Sequence, residues 1–491
     1  MPRSHRPLTP ALVLALAPLV ACGGSDAVPR YVSVPPTPYT FVSSAGDTVQ
    51  AERGELLVPE NRANPDSRSI RLAYVRFPST SPNPASPIVY LAGGPGGSGI
   101  ATARGRRFPL FMALREIGDV IAFDQRGTGD SNQIPRCETD HTVSLDTAPT
   151  VEIAIAAYRA AATECLAFWE GEGVDIRGYT TVESARDLGA LRDALDADRI
   201  SLWGISYGTH LAMAAARELG SRRIDRIILA SAEGLDQTVK QPARTDAYFG
   251  RLQEALNTDP VLGEAIPDAA GLIRRLTDRL AAEPATITVP GEDGADPIEF
   301  IMGPAEIQLL LAFNIADPPG AARTLMLLAD ADARGSFDQI GQIVWQGLRQ
   351  GTISMGGMSE AMDAASGISD EALARFEEQS RTALLDGVLN FPMPWLRDAF
   401  GDLDLGPEFR ENPQVDRPTL LLSGTLDGRT YPESQLEATS GFTDLTHVVI
   451  ENAGHNLFMV MPEVTETILT FMRGQEVANT RLVYELPPYG R

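Results

Sequence analysis

Short apolar runs of strand length recur along the 491-residue chain, most of them closing on a glycine-bearing loop and followed by a helical segment. "SIRLAYVRF" (69–77) alternates polar and apolar residues. "PIVYLAGG" (87–94), "DVIAFDQRG" (119–127), "RISLWG" (199–204), "RIDRIILAS" (223–231), "PTLLLSG" (418–424) and "THVVIENAG" (446–454) carry the apolar cores expected of strands buried on both faces. Thr180 and Glu183 can form a capping box ahead of Ala185, Leu188, Leu191 and Leu195, which recur at helical spacing. Strands alternating with helices predict an α/β chain built on a mostly parallel central sheet. Between 236 and 412 helical segments dominate, with one hairpin expected near "ATITVPGEDGADPIEFIM". That stretch is expected to be a mainly helical cap inserted between core strands, and the Gly-, Met- and Ser-rich run 351–369 a flexible loop within it.

Composition narrows the partners more than the chemistry. The chain is 43% hydrophobic and 22% charged, the balance of a globular protein. Its formal net charge is −24, and Lys240 is its only lysine. A surface this acidic repels phosphate backbones, which argues against a nucleic-acid partner.

The N-terminus points to export. Arg3, His5 and Arg6 precede the apolar run "LTPALVLALAPLVA", which is interrupted by Pro10 and Pro18 and is too short to span a bilayer. Residues 1–21 are therefore expected to be a signal peptide. Leu19-Val20-Ala21-Cys22 resembles the lipobox of bacterial lipoproteins, which implies lipidation at Cys22 and a membrane association through that anchor alone. Gly23 and Gly24 follow with no aspartate beside Cys22, which by the same resemblance favours the outer membrane if the host is Gram-negative. A Pro-, Ser- and Val-rich tether is expected over 22–45, the core over 46–235, the cap over 236–412, the rest of the core over 413–475 and a tail over 476–491. Cys137 and Cys165 remain as an even pair in an exported chain, so a disulfide between them is expected, the alternative being two separate buried thiols.

The chemistry centres on Gly204-Ile205-Ser206-Tyr207-Gly208, preceded by a strand and followed by the helical "THLAMAAAREL". A serine held on such a strand-to-helix turn is a nucleophile if a base can take its proton, and the small flanking residues are a steric requirement of the turn. Of the five histidines, His455 lies in a loop after the last apolar strand, where that base belongs. His5 falls in the signal, His141 precedes the serine, His210 lies on the serine's own helix and His447 inside a strand. Asp427, just past "PTLLLSG", is the expected acid, with Glu233 and Asp236 as rivals. Ser206, Asp427 and His455 then follow the chain order of the α/β-hydrolase triad. The loop "LAGGPGGSG" (91–99) is nearly free of side chains, so an oxyanion hole is expected from the amides of Tyr207 and of Gly93 or Gly94. No lysine or G-K-[ST] follows that loop, which excludes a phosphate-binding P-loop. No metal or organic cofactor is called for.

The set "AGGPGGSG", "DQRGTGDS" (124–131), "GISYG", "SGTLDGRT" and "AGH" resembles the proline iminopeptidase and tripeptidyl aminopeptidase group of α/β-hydrolase serine peptidases, from about Glu52 to Arg473. The resemblance implies the α/β-hydrolase fold, a Ser206–Asp427–His455 triad and exopeptidase activity. Ala92 departs from the His-Gly-Gly-Pro-Gly of many proline iminopeptidases. Asp124, Gln125 and Arg126 are expected to tie loops beneath the site. An aminopeptidase must anchor an ammonium group, and Glu233, at the sheet edge where ligands gather, is the candidate, a solvated turn being the alternative. The expected substrate is a short peptide. A carboxylic ester with the same triad is the second reading, and a non-catalytic envelope binding protein the third.

Overall fold

The apolar runs take their places in a computed structural model that describes residues 31–291, 295–349 and 351–489. Among the described residues the strands are β1 (Val32–Val42), β2 (Thr48–Pro59), β3 (Ser69–Phe77), β4 (Ala85–Leu91), β5 (Gly118–Phe123), β6 (Cys137–Glu138), β7 (Ile200–Ser206), β8 (Ile224–Ala232), β9 (Ala285–Val289), β10 (Ile298–Met302), β11 (Ser354–Met355), β12 (Thr419–Gly424), β13 (Leu445–Glu451) and β14 (Arg481–Val483). Ten of them form one sheet in the order β1-β2-β3-β5-β4-β7-β8-β12-β13-β14. From β5 to β14 every neighbouring pair is parallel, and β1 to β3 form an antiparallel edge.

Both faces of this sheet are covered, which is why its strands are continuously apolar. On β7, Leu202 packs into the layer holding helices Val151–Gly171, Thr181–Ala194 and Tyr207–Leu219. Its neighbour Trp203 packs into the opposite layer with helices Phe108–Leu114 and Pro462–Met472. The insertion between β8 and β12 builds its own apolar cluster around Leu252, Leu276, Leu311 and Leu325. The expected hairpin is β9–β10, paired antiparallel.

Three segments differ from expectation. The tether ends early, because β1 pairs with β2 from Val32↔Leu57 to Val42↔Thr48. Pro35 and Pro36 give the segment its linker-like composition, yet they sit at a register shift on an edge strand, where a missing amide donor costs little. The tail also joins the sheet, as β14 pairs with β13 and buries Leu482. The run 351–369 is not a loop: β11 pairs with β6, and Met358–Ser366 is a helix. Met358, Ala361, Met362 and Ala365 are its buried face at i, i+3, i+4, i+7, an apolar stripe built from small and flexible residues. Gly357 precedes it at φ +85°, where a Cβ would lie 3.0 Å from the Trp169 ring. The signal segment and Cys22 lie outside the described residues. Among those described, no helix is long and apolar enough to cross a membrane.

Cys137 and Cys165 form a disulfide, which ties β6 to the helix Val151–Gly171. Through β6 and β11 it also braces the approach to helix Met358–Ser366. The two cysteines are 28 residues apart, and closing such a loop in the unfolded chain contributes about 3 kcal/mol. Replacing both cysteines by serine is expected to lower the chemical denaturation midpoint accordingly. An unchanged midpoint would show that the bridge does not restrain the unfolded chain.

Candidate active site

Five of the parallel strands deliver chemistry to the same edge of the sheet. β4 leads into the loop 92–97, β7 ends on Ser206, β8 leads to Glu233, β12 to Asp427 and β13 to His455. Parallel strands end together, so residues more than 300 positions apart in the chain meet at one crevice.

Ser206 is both the last residue of β7 and the cap of helix Tyr207–Leu219, at φ 54° and ψ −131°. A non-glycine residue at positive φ costs on the order of 1–3 kcal/mol and persists only where the surroundings enforce it. Here they do. A Cβ on Gly204 would lie 2.5 Å from the Gly208 carbonyl oxygen, and one on Gly208 would lie 2.1 Å from that of Leu91. Only bare backbone lets β4, β7 and the helix approach this closely.

His455 Nδ1 lies 3.1 Å from both carboxylate oxygens of Asp427, which is fully buried. Asp427 Oδ1 also accepts the Arg429 and Thr430 amides at 2.8 Å, and Oδ2 accepts the Thr430 hydroxyl at 2.7 Å. Burial would raise the Asp427 carboxyl, but the facing His455 and these hydrogen bonds outweigh it and hold the group below the usual range. An ionised Asp427 keeps the imidazole proton on Nδ1 and leaves Nε2 as a base. The histidine's backbone is also clamped: its amide donates to Ala316 O at 2.8 Å, and its carbonyl accepts the Ser231 hydroxyl at 2.8 Å. Ser206 and His455 line one cavity of about 540 Å³. Among the described residues no hydrogen bond joins the serine hydroxyl to His455, a gap that unliganded hydrolase sites commonly close on binding substrate.

The glycine loop lies against Ser206. A Cβ on Gly93 would sit 3.0 Å from Ser206 Cβ, and Gly94 has φ +128°. The Gln125 side chain holds this loop by donating to Ala92 O at 3.1 Å. Asp124 accepts the Ser98 hydroxyl at 2.7 Å and the Ile100 amide at 3.0 Å, while Arg126, fully buried, pairs with Asp187 at 2.7 Å. Asp124, Gln125 and Arg126 are thus the buttress expected of them. The Tyr207 amide is the first of its helix, directly after Ser206, where it has no partner within the helix.

The remaining acids separate cleanly. Asp236 accepts the Ser369 amide at 2.8 Å and its hydroxyl at 2.6 Å, with no bond to His455, so it is not the triad acid. Glu233 lines the cavity, but its carboxylate forms an ion pair with Lys240, whose ammonium also donates to Gln237 O at 3.0 Å. A carboxylate not singled out by sequence, Asp363 on helix Met358–Ser366, lines the same cavity and makes no side-chain hydrogen bond or ion pair among the described residues. Burial pushes its carboxyl up to about 7, with Glu233 adding to the rise, Lys240 opposing it and Glu360 adding again. The helical spacing of its neighbours was the signal that could have found it. His210 is structural: fully buried, it bridges Gly234 O and the Ser366 hydroxyl at 3.1 Å each. Among the described residues no group of three His, Cys, Asp or Glu side chains is placed to hold a metal ion.

The pH dependence follows from Asp363. The folded chain holds its proton up to about pH 7, whereas an unfolded aspartate releases it near 3.8, so this group's contribution to stability falls as pH rises between those values. Asp363→Asn is expected to raise the melting temperature over wild type at pH 8, with the gain shrinking toward pH 4. A difference that does not vary with pH would contradict this.

Comparison with known proteins agrees with the fold. The family described as alpha/beta hydrolase fold matches residues 86–294, which hold β4, β7 and Ser206. The chain is 35% identical to serine protease Hip1 of Mycobacterium tuberculosis over 176 residues, covering 34% of each protein. It is 31% identical to the tripeptidyl aminopeptidase of Streptomyces lividans over 172 residues, covering 32% of this chain and 31% of that one. Over 153 residues it is 28% identical to the putative hydrolase YuaR of Escherichia coli, covering 31% and 29%. The similarity therefore spans about a third of the length of these relatives. Sheet order, serine turn and sequence similarity together make this chain a protein of the α/β-hydrolase fold.

Proposed function

We propose that the protein is a serine aminopeptidase acting on short, unblocked peptides through an acyl-enzyme. The observation that carries this reading is the coexistence, in one cavity, of Ser206 and His455 with the Asp363 carboxyl, which has no side-chain partner among the described residues. The first two supply acyl transfer, and the third offers a substrate ammonium a partner it otherwise lacks. Glu233, already neutralised by Lys240, would orient that ammonium less strongly than Asp363. The serine protease and tripeptidyl aminopeptidase relatives support the same class.

In this mechanism Ser206 Oγ attacks the scissile carbonyl carbon and its proton passes to His455 Nε2. Asp427 steadies the imidazolium through Nδ1. The oxyanion is received by the Tyr207 amide together with that of Gly93 or Gly94, each donor being worth about 3 kcal/mol in the transition state. The C–N bond then breaks, and the departing amine takes the proton from His455. Water, deprotonated by the same histidine, attacks the acyl-enzyme, freeing the N-terminal fragment and restoring Ser206. The cap wall beyond the site would exclude long or folded chains.

We also place the enzyme in an oxidising cell-envelope compartment, anchored through Cys22. The lipobox-like Leu19–Cys22 and the Cys137–Cys165 bridge support that placement.

The test is hydrolysis of a matched panel: unblocked aminoacyl and tripeptidyl chromogens, their N-blocked counterparts and a short-chain nitrophenyl ester. Unblocked peptides should be cleaved and blocked ones spared, and Ser206→Ala should lower the rate at least about 10⁴-fold. Asp363→Asn should raise KM on unblocked peptides by about tenfold while changing kcat little, since it removes an interaction made by substrate and transition state alike. Turnover of the ester alone would move the assignment to an esterase. No turnover of any member would favour a binding protein.

A further inference from the structure

We propose that Arg429 recognises a carboxylate side chain on the N-terminal segment of the substrate, so that the enzyme favours peptides with an acidic residue near the scissile bond. This deepens the aminopeptidase assignment and rests on it.

Arg429 is half-buried on the wall of the catalytic cavity, two residues beyond Asp427. Its amide is fixed by donating to Asp427 Oδ1 at 2.8 Å, so the side chain starts from a rigid point. Its guanidinium makes no hydrogen bond or ion pair with any described residue. A half-buried arginine without a hydrogen-bonded partner is costly, and burial lowers its pKa against the opposing pull of Tyr431 and Asp427.

Lack of acids does not explain the vacancy. The chain holds 65 acidic against 41 basic residues, so partners are abundant. Arg244, Arg375 and Arg410, which line the adjoining cavity, are each paired, with Glu437, Glu371 and Asp404. Arg429 and the Glu233–Lys240 pair are what the two cavities share. On that shared wall the chain's only lysine occupies the Glu233 carboxylate, which leaves Arg429 uncommitted. Arg107, another cation of the catalytic cavity, is engaged differently: its guanidinium bonds the Tyr90 hydroxyl and Asn456 Oδ1 and lies over the Phe458 ring. Arg429 thus brings a fork of N–H donors to the wall that the two cavities share, and such a fork matches a carboxylate bidentately. Because it lines the cavity together with Glu233 and with Asp363, the group assigned to the substrate ammonium, the carboxylate is placed on the acyl segment rather than on the leaving one.

The experiment compares kcat/KM of the full chain and its Arg429→Gln variant on unblocked peptidyl nitroanilides that differ only in Glu or Gln, at the last and at the penultimate position before the scissile bond. The wild type should favour Glu over Gln by about tenfold or more at one of these positions, and Arg429→Gln should bring the ratio close to one. Because the readout is a ratio within one protein, a partly unfolded variant does not mimic the result. A Glu/Gln ratio near one in the wild type, or a preference surviving in Arg429→Gln, would overturn the proposal. Nitroanilides carry no C-terminal carboxylate, so a parallel series of free-acid and amidated peptides separates the two sources. Discrimination confined to the free acids would overturn the acyl-side placement. If only esters are hydrolysed, the aminopeptidase assignment fails by itself. Arg429 is then tested by whether glutarate inhibits ester hydrolysis more strongly than its monoamide, with that difference lost in Arg429→Gln; equal inhibition would overturn it.

Discussion

The close approach of three backbone segments around Ser206 is the constraint on which the rest of the site depends. The Leu91 carbonyl stands where a side chain at position 208 would lie, and a Cβ on Gly93 would meet Ile205 O and Ser206 Cβ. That contact holds the serine at φ 54°, at the mouth of the crevice rather than within the sheet. Any larger residue at Gly204 or Gly208 would push the helix off β7 and lower the hydroxyl back toward the strand. The strain at Ser206 is small beside the burial of the sheet around it: Leu202, Trp203 and Ile205 are all essentially inaccessible to water.

The inserted cap takes part in the site instead of merely covering it. Ala316 receives the His455 amide, and Asp317 receives the Asn456 amide at 3.0 Å, so the loop carrying His455 is held from the cap side. Helix Met358–Ser366 brings Asp363 to the cavity and is itself fastened to helix Tyr207–Leu219. The Ser366 hydroxyl meets His210, and the Met362 sulfur receives the Tyr207 hydroxyl at 3.0 Å. Core and cap are consequently coupled through the two elements that the chemistry needs most, the serine's helix and the histidine's loop. The groups that would select the substrate, Asp363 and Arg429, line the same cavity as Ser206 and His455.

The core was legible in the sequence because its determinants are local. Seven strands of the large sheet announce themselves as apolar runs, whereas β1, β2 and β14 do not, and the serine turn, Asp427 and His455 each follow one of those runs within a few residues. The disulfide was legible from compartment and count. The cap was legible as a helical insertion with one hairpin, but its geometry was not, because that depends on long-range packing. Its helix at Met358–Ser366 uses Ala, Met and Ser where a strongly amphipathic helix would use Leu, so glycine and serine content outweighed the periodicity. Glu233 illustrates a different limit: its place at the sheet edge follows from the strand before it, but its pairing with Lys240 depends on a loop that folds back seven residues later. Arg429 stood in a quoted motif, and only the absence of a partner in three dimensions gives it meaning.

The most direct measurement is covalent labelling with a fluorophosphonate, followed by peptide mass spectrometry of the modified chain. A single adduct on Ser206, formed quickly in the native protein and strongly slowed in Asp427→Asn, is the predicted result. It would show that the serine is activated by the His455–Asp427 pair and not merely exposed. An unmodified Ser206, or an adduct that forms equally fast in the Asp427→Asn variant, would contradict the assignment of this crevice as a serine hydrolase site.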